Sequence, residues 1–120
     1  MRNPTLPEYQ ISKIYSLFPE SEEFGWPMTW PHNEKSGIYF ILDENKKLIY
    51  IGESNRIGGR LSSYFKYDDN RKCFIRHKWV RTPFYLFTLA VQDNYFFERL
   101  SLEAFLINTL NPDNNIRERD

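Results

Sequence analysis

The strongest chemical signal in this 120-residue chain is a carboxylate on an apolar face. Residues 94–110 carry the clearest helical pattern, and Asn111-Pro112 ends it. At about 100° per residue, Phe96, Leu100, Leu106, Ile107 and Leu110 fall within about 60° of Glu103. Glu98 falls about 140° away, beside Ser101, Asn108 and Thr109, where a surface glutamate belongs. Burying a carboxylate without a partner costs several kcal/mol. Glu103 should therefore face an arginine, a metal or a cleft. It is either half of a structural ion pair, or a metal ligand or acid–base group.

A second group of reactive side chains lies upstream. Residues 56–81 hold eight basic side chains (Arg56, Arg60, Lys66, Arg71, Lys72, Arg76, Lys78 and Arg81) against Asp68 and Asp69, a net charge of +6. Tyr64, Phe65, Tyr67 and Trp79 are interleaved with them. Such a block is either a solvated helical face or a phosphate-binding surface. Within it, the planar fork of Arg60 matches phosphate oxygens, and Tyr64 follows one helical turn later on the same face. The whole chain has 16 basic and 16 acidic side chains, so the basic block is balanced by acidic flanks. Neutrality argues against a protein coated with basic charge, and limits unaided affinity for nucleic acid.

These groups need elements to hold them. Residues 6–18 place Ile11, Ile14, Tyr15 and Phe18 at helical spacing, with Pro7 suited to a first turn. Residues 19–36, with three prolines and the near-repeat Trp26-Pro27, Trp30-Pro31, read as an irregular, packed loop. Residues 37–43 and 48–52 are rich in β-branched and aromatic side chains around a polar turn, and read as a β-hairpin. Residues 54–66 read as a helix burying Ile57, Leu61 and Phe65, although Gly58 and Gly59 each cost roughly 1 kcal/mol in a helix interior. Residues 71–80 read as a second, basic helix, and 84–91 as a third, buried strand.

The expected fold class is α+β: a small α/β sandwich with a three-stranded, mainly antiparallel sheet flanked by helices, plus an N-terminal helical extension. Residues 1–36 would form that extension, packed on a catalytic domain of residues 37–120. One domain suits the length. Aromatic residues at 18% and hydrophobic residues at 41% exclude disorder. No apolar run suits a membrane span, and the N-terminus lacks a signal-peptide pattern, so a soluble cytoplasmic protein is expected. The single Cys73 excludes an internal disulfide, and His32 and His77 are too few for a zinc cage.

The hairpin ends in two signatures, Gly37-Ile38-Tyr39 and Tyr50-Ile51-Gly52, with ten residues between them. Arg60, Tyr64 and Glu103 follow in that order, and Asn115 comes twelve residues after Glu103, behind Asn111-Pro112. Over about residues 36–117 the chain resembles the GIY-YIG nuclease family. LIYIGESNRIGGRLSSYF is especially similar to the amino-terminal nuclease domain of the bacterial excision-repair incision subunit.

The resemblance implies a Mg²⁺- or Mn²⁺-dependent endonuclease acting on DNA, with Tyr39, Tyr50, Arg60 and Glu103 as catalytic residues. Tyr39 or Tyr50 would act as general base or orient the water, and Glu103 would hold the metal. Gly37, Gly52, Tyr64 and Asn115 would support the site, with Asn115 fixing Glu103 or a tyrosine by hydrogen bonding. Arg56, Lys66, Arg71, Lys72, Arg76 and Lys78 would contact nucleic acid. The physical demands agree with these residue types. Phosphodiester hydrolysis needs a polarised phosphoryl oxygen, an activated water and a stabilised leaving oxyanion. One carboxylate suffices for Mg²⁺, which keeps most of its waters.

Two departures matter. Many repair-type relatives carry a lysine directly after the second tripeptide, where this chain has Glu53. An acid there is expected to weaken anion attraction. The family also usually joins this cassette to a separate DNA-binding domain, and residues 1–36, at net −2, are too short and too acidic to be one. The leading expectation is a stand-alone endonuclease with weak DNA affinity, targeted by a partner protein or a DNA structure. The alternatives are a catalytically impaired nucleic-acid-binding or scaffold module, and a protein-interaction domain whose site residues are relics.

Overall fold

The structure is a computed structural model that describes residues 9–18, 30–67, 73–75, 79–92 and 96–112. Its elements in chain order are β1 (Tyr9–Ile11), β2 (Tyr15–Ser16), β3 (Gly37–Leu42), β4 (Leu48–Ser54), α1 (Ile57–Tyr64), β5 (Phe65–Tyr67), β6 (Cys73–Ile75), β7 (Tyr85–Val91) and α2 (Phe96–Leu110). The main sheet runs β1-β7-β3-β4, with β2 also pairing to β7, and β5 and β6 form a separate two-stranded ribbon. Every strand pair is antiparallel. The expected α+β class and the β7-β3-β4 core hold, but the sheet has five strands where three were expected.

The hairpin forms because Asp43 closes it. Its carboxylate accepts hydrogen bonds from the backbone N–H groups of Asn45 and Lys47, both at 2.9 Å, while Lys46 takes the left-handed conformation at φ 63°. Between β3 and β4 the register shifts beside Ile41 and Leu42, leaving Ile49 as an extra residue. That bulge matters for the site described below.

Strand alternation sorts the core into two faces. Tyr39, Ile41, Ile49 and Leu86 pack on one side with Ile57 and Leu61 of α1. Ile38, Phe40, Ile51, Leu89 and Val91 pack on the other with Ile107 of α2, flanked by Leu102 and Leu106. The first turn of α1 is seated on the segment before β3: Ile57 N–H donates to the Lys35 carbonyl and Gly58 N–H to the Asn33 carbonyl, both at 2.9 Å. These bonds satisfy donors that a helix start otherwise leaves open. At its far end Phe65 turns extended, at φ −129° and ψ 126°, so α1 is shorter than the expected 54–66.

Among the described residues, two expected helices give way to strands. Residues 9–18 lie along β7 as β1 and β2, and Ile11 and Ile14 of the supposed helical stripe are 70% and 47% exposed. Ser12 bridges the gap between the two strands: its N–H donates to the Thr88 carbonyl at 2.8 Å, and its Oγ accepts from Thr88 N–H at 2.9 Å. Covering the edge of a central strand outweighs a short periodic pattern. Within the expected basic helix 71–80, Cys73–Ile75 is a strand paired with Phe65–Tyr67. Residues rich in aromatic and β-branched side chains found a partner within reach. The last helix stands as expected, closed by Asn111 at φ 46°, whose N–H donates to the Ile107 carbonyl at 2.9 Å. Leu110 is half exposed, however, and lies off the buried stripe.

Candidate active site

The two motif tyrosines reach the same face of the sheet because of register. Tyr39 pairs with Gly52, and Ile41 with Tyr50; cross-strand partners share a face, so Tyr39 and Tyr50 lie on the side that packs α1. The Ile49 bulge lets Tyr50 and Ile49, neighbours in sequence, both pack there. Each tripeptide's glycine also has a steric reason. A Cβ on Gly52 would overlap the Tyr39 ring and hydroxyl, so the ring lies directly over that residue. A Cβ on Gly37 would overlap the Leu89 carbonyl of β7, so the two strands approach there more closely than a side chain permits.

Around Tyr39 the aromatic groups close up. Its hydroxyl is 3.0 Å from the Tyr64 hydroxyl, brought in from the last turn of α1. Ring centroids lie 6.0 Å apart for Tyr39 and Tyr50, 5.9 Å for Tyr39 and Tyr64, and 6.1 Å for Tyr50 and Tyr64. Trp79 stands edge-on to both outer rings, at 5.5 Å from Tyr50 and 5.6 Å from Tyr64. Arg60 lies one turn before Tyr64, and its guanidinium is held further into its charged form by Tyr39 first, then by Tyr64 and Tyr50. Tyr39 itself is 1% exposed. Burial, then the neighbouring Tyr64 and Tyr50, push its hydroxyl well above the usual phenol range, which outweighs the opposing pull of Arg60. Tyr39 keeps its proton, whereas Tyr50 and Tyr64 are only half buried.

Four expected site residues therefore meet on the α1 face. Glu103 belongs to α2, whose Leu102, Leu106 and Ile107 pack on the other face, and is itself half buried. Of the apolar stripe expected around it, Ile107 is buried, Leu100 and Leu106 are half buried, and Leu110 is half exposed. One residue of that stripe escaped the sequence reading: Arg99, four positions before Glu103, is 3% exposed. Its Nε donates to Glu53 Oε2 at 2.7 Å. Its signal was its position, since i and i+4 share a helix face, so the stripe holds a cation as well as an acid. Glu53 pairs with Ile38, whose side chain packs toward α2. The acid after the second tripeptide is thus engaged by Arg99 on the α2 side, and does not stand as an uncompensated charge beside the tyrosines.

The expected nucleic-acid contacts divide. Arg56 is exposed and pairs with Glu34 at 3.2 Å, and Lys66 is exposed on β5. Arg71, Lys72, Arg76, Lys78 and Asn115 lie outside the described residues. Among the described residues no three His, Cys, Asp or Glu side chains gather to hold a metal ion. A lone half-buried carboxylate does not suit zinc, but its hard oxygens fit Mg²⁺, which retains water and takes further ligands from a substrate.

Residues 35–117 match the GIY-YIG catalytic domain. The chain is similar to the UvrABC system protein C of Borreliella burgdorferi (strain ZS7), 38% identical over 85 residues, which is 71% of this chain and 13% of that protein. The corresponding protein of Rickettsia prowazekii is 36% identical over 87 residues, covering 72% of this chain and 13% of its own length. That of Dictyoglomus thermophilum is 31% identical over 87 residues, covering 72% and 14%. The match thus spans about one-seventh of the length of these relatives or slightly less.

Proposed function

Because the chain belongs to the GIY-YIG family, we propose that it is an endonuclease that hydrolyses phosphodiester bonds in DNA with the help of one Mg²⁺ or Mn²⁺ ion. The observation that carries this reading is the cluster of Tyr39, Tyr50 and Tyr64 around Arg60 on one face of the sheet. Arg60 offers a fork to the phosphate oxygens from the helix turn before Tyr64. Tyr39, which retains its proton, fixes Tyr64 by the 3.0 Å contact between their hydroxyls. Tyr50, half buried beside them, orients the attacking water. Glu103 holds the metal, whose chemistry there is to polarise the phosphoryl oxygen and neutralise the leaving oxyanion. The basic segment 56–81 supplies phosphate contacts, and the overall neutrality of the chain favours a targeting protein or a distinctive DNA structure to raise affinity. The likeness to UvrABC system protein C supports a repair setting.

The reading is tested with supercoiled and branched DNA, Mg²⁺ or Mn²⁺ present or chelated. Arg60→Ala and Glu103→Ala should each lower the nicking rate by about 10²–10³-fold with unchanged circular dichroism, since each removes a stabiliser of transition-state charge. If native protein binds these DNAs but nicks none of them with either metal, the endonuclease reading fails in favour of a binding module.

A further inference from the structure

The pair formed by Glu53 and Arg99 takes no part in the steps above, yet Arg99 sits on the helix that carries Glu103. The Arg99 side chain is 4% exposed and that of Glu53 24%. A guanidinium so deeply buried needs a counter-ion, and β4 supplies one at 2.7 Å. Arg99 and Glu103 are neighbours on one face of α2, with Cβ atoms about 5–6 Å apart for residues at this spacing. Partly buried charges at such range are poorly screened by salt, so both members of the pair act on anything bound at Glu103.

We propose that the Glu53–Arg99 pair sets the divalent-cation affinity of Glu103. Arg99 holds that affinity down, and Glu53 restores it by neutralising Arg99; neither residue is itself a ligand. The proposal rests on the reading of Glu103 as the metal site. Taken together, Arg99, Glu53 and Glu103 carry one net negative charge. Glu53→Gln leaves the trio at zero, and Arg99→Gln leaves it at minus two. The two substitutions must therefore move cation binding in opposite directions. A pair that served packing only would respond to both in the same direction, through lost stability.

The experiment titrates Mn²⁺ into the full chain without DNA and reads binding by water-proton relaxation. Thermal melting of each variant runs in parallel. Glu53→Gln should weaken Mn²⁺ binding by about tenfold, Arg99→Gln should tighten it by a similar factor, and the double variant should return to within about twofold of native. Shifts of the same sign, or no shift in Arg99→Gln, overturn the proposal. If Glu53→Gln leaves Arg99 stranded and does not fold, Arg99→Gln against the double variant decides the question. Glu103→Gln separates the two levels. If it abolishes Mn²⁺ binding while the pair variants fail to shift it oppositely, the tuning proposal alone falls. If it binds Mn²⁺ like native protein, the assignment of the metal to Glu103 falls first.

Discussion

The face of the central sheet that packs α1 and the face that packs α2 share strands but hold different chemistry. On the α1 side, three tyrosine rings cluster near Arg60, with the Tyr39 and Tyr64 hydroxyls in contact at 3.0 Å. On the α2 side, apolar side chains of the sheet pack with Leu102, Leu106 and Ile107, and Arg99 of the same helix forms an ion pair with Glu53. The dividing line passes between adjacent residues. Gly52 lies beneath Tyr39, and Glu53, the next residue, reaches Arg99. A substitution one position from a site motif can thus belong to the other side of the sheet, and Glu53 acts on the acid-bearing helix rather than on the tyrosines.

Removing Arg99 tests that division most severely. Arg99→Ala should cost about 3–5 kcal/mol in urea unfolding, because it strands a half-buried carboxylate and opens a cavity. Replacing both partners, Glu53→Leu with Arg99→Met, should return stability to within about 2 kcal/mol of native, since well-packed apolar side chains substitute for a buried pair. Throughout, the fluorescence of Trp79, which touches Tyr50 and Tyr64 on the α1 side, should stay native-like in the folded double variant. A changed emission there would show that the two faces are not separate.

Gly52→Ala is the next largest perturbation, and it strikes the α1 face. The new methyl group meets the Tyr39 ring, which is fully packed and cannot swing away. The expected cost is about 2–3 kcal/mol of stability, as for other overpacked cores, with nicking reduced at least as far as in Arg60→Ala. Mn²⁺ binding in the absence of DNA should be unaffected, and its loss would break the comparison.

How much of this was legible in the sequence follows the same line. The hairpin, the buried strand, the last helix and the Arg60–Tyr64 spacing were readable because each rests on a period or a turn within one segment. Glu103 was readable as an anomaly on an apolar stripe. What escaped needed a partner from elsewhere in the chain. Residues 9–18 are strands because β7 presents an edge to them, and nothing in their own spacing says so. Cys73–Ile75 is a strand because Phe65–Tyr67 faces it. Whether Tyr39 and Tyr50 share a face depended on the bulge at Ile49, which alternation counted along the strand does not reveal. The role of Glu53 was misread because its partner lies 46 positions away.

The smallest expected effect comes from a single oxygen. Tyr39→Phe removes one side of the 3.0 Å hydroxyl contact with Tyr64 and leaves the ring packing intact, so it should cost about 1 kcal/mol near neutral pH. Its larger signature lies in alkali. In native protein the Tyr39 hydroxyl is pushed above its ordinary value of 10, chiefly by burial. Below about pH 10 both folded and unfolded chains keep that proton, and its contribution to stability is fully present. Above pH 10 the unfolded chain loses the proton and the folded chain does not, so stability falls by about 1.4 kcal/mol per pH unit from this group. In Tyr39→Phe that component is absent, and the native and variant stability curves should converge and then cross as pH rises past 10. Parallel curves would mean that Tyr39 ionises in the folded protein as readily as in the unfolded chain. The division of labour between a proton-keeping Tyr39 and a water-facing Tyr50 would then be lost.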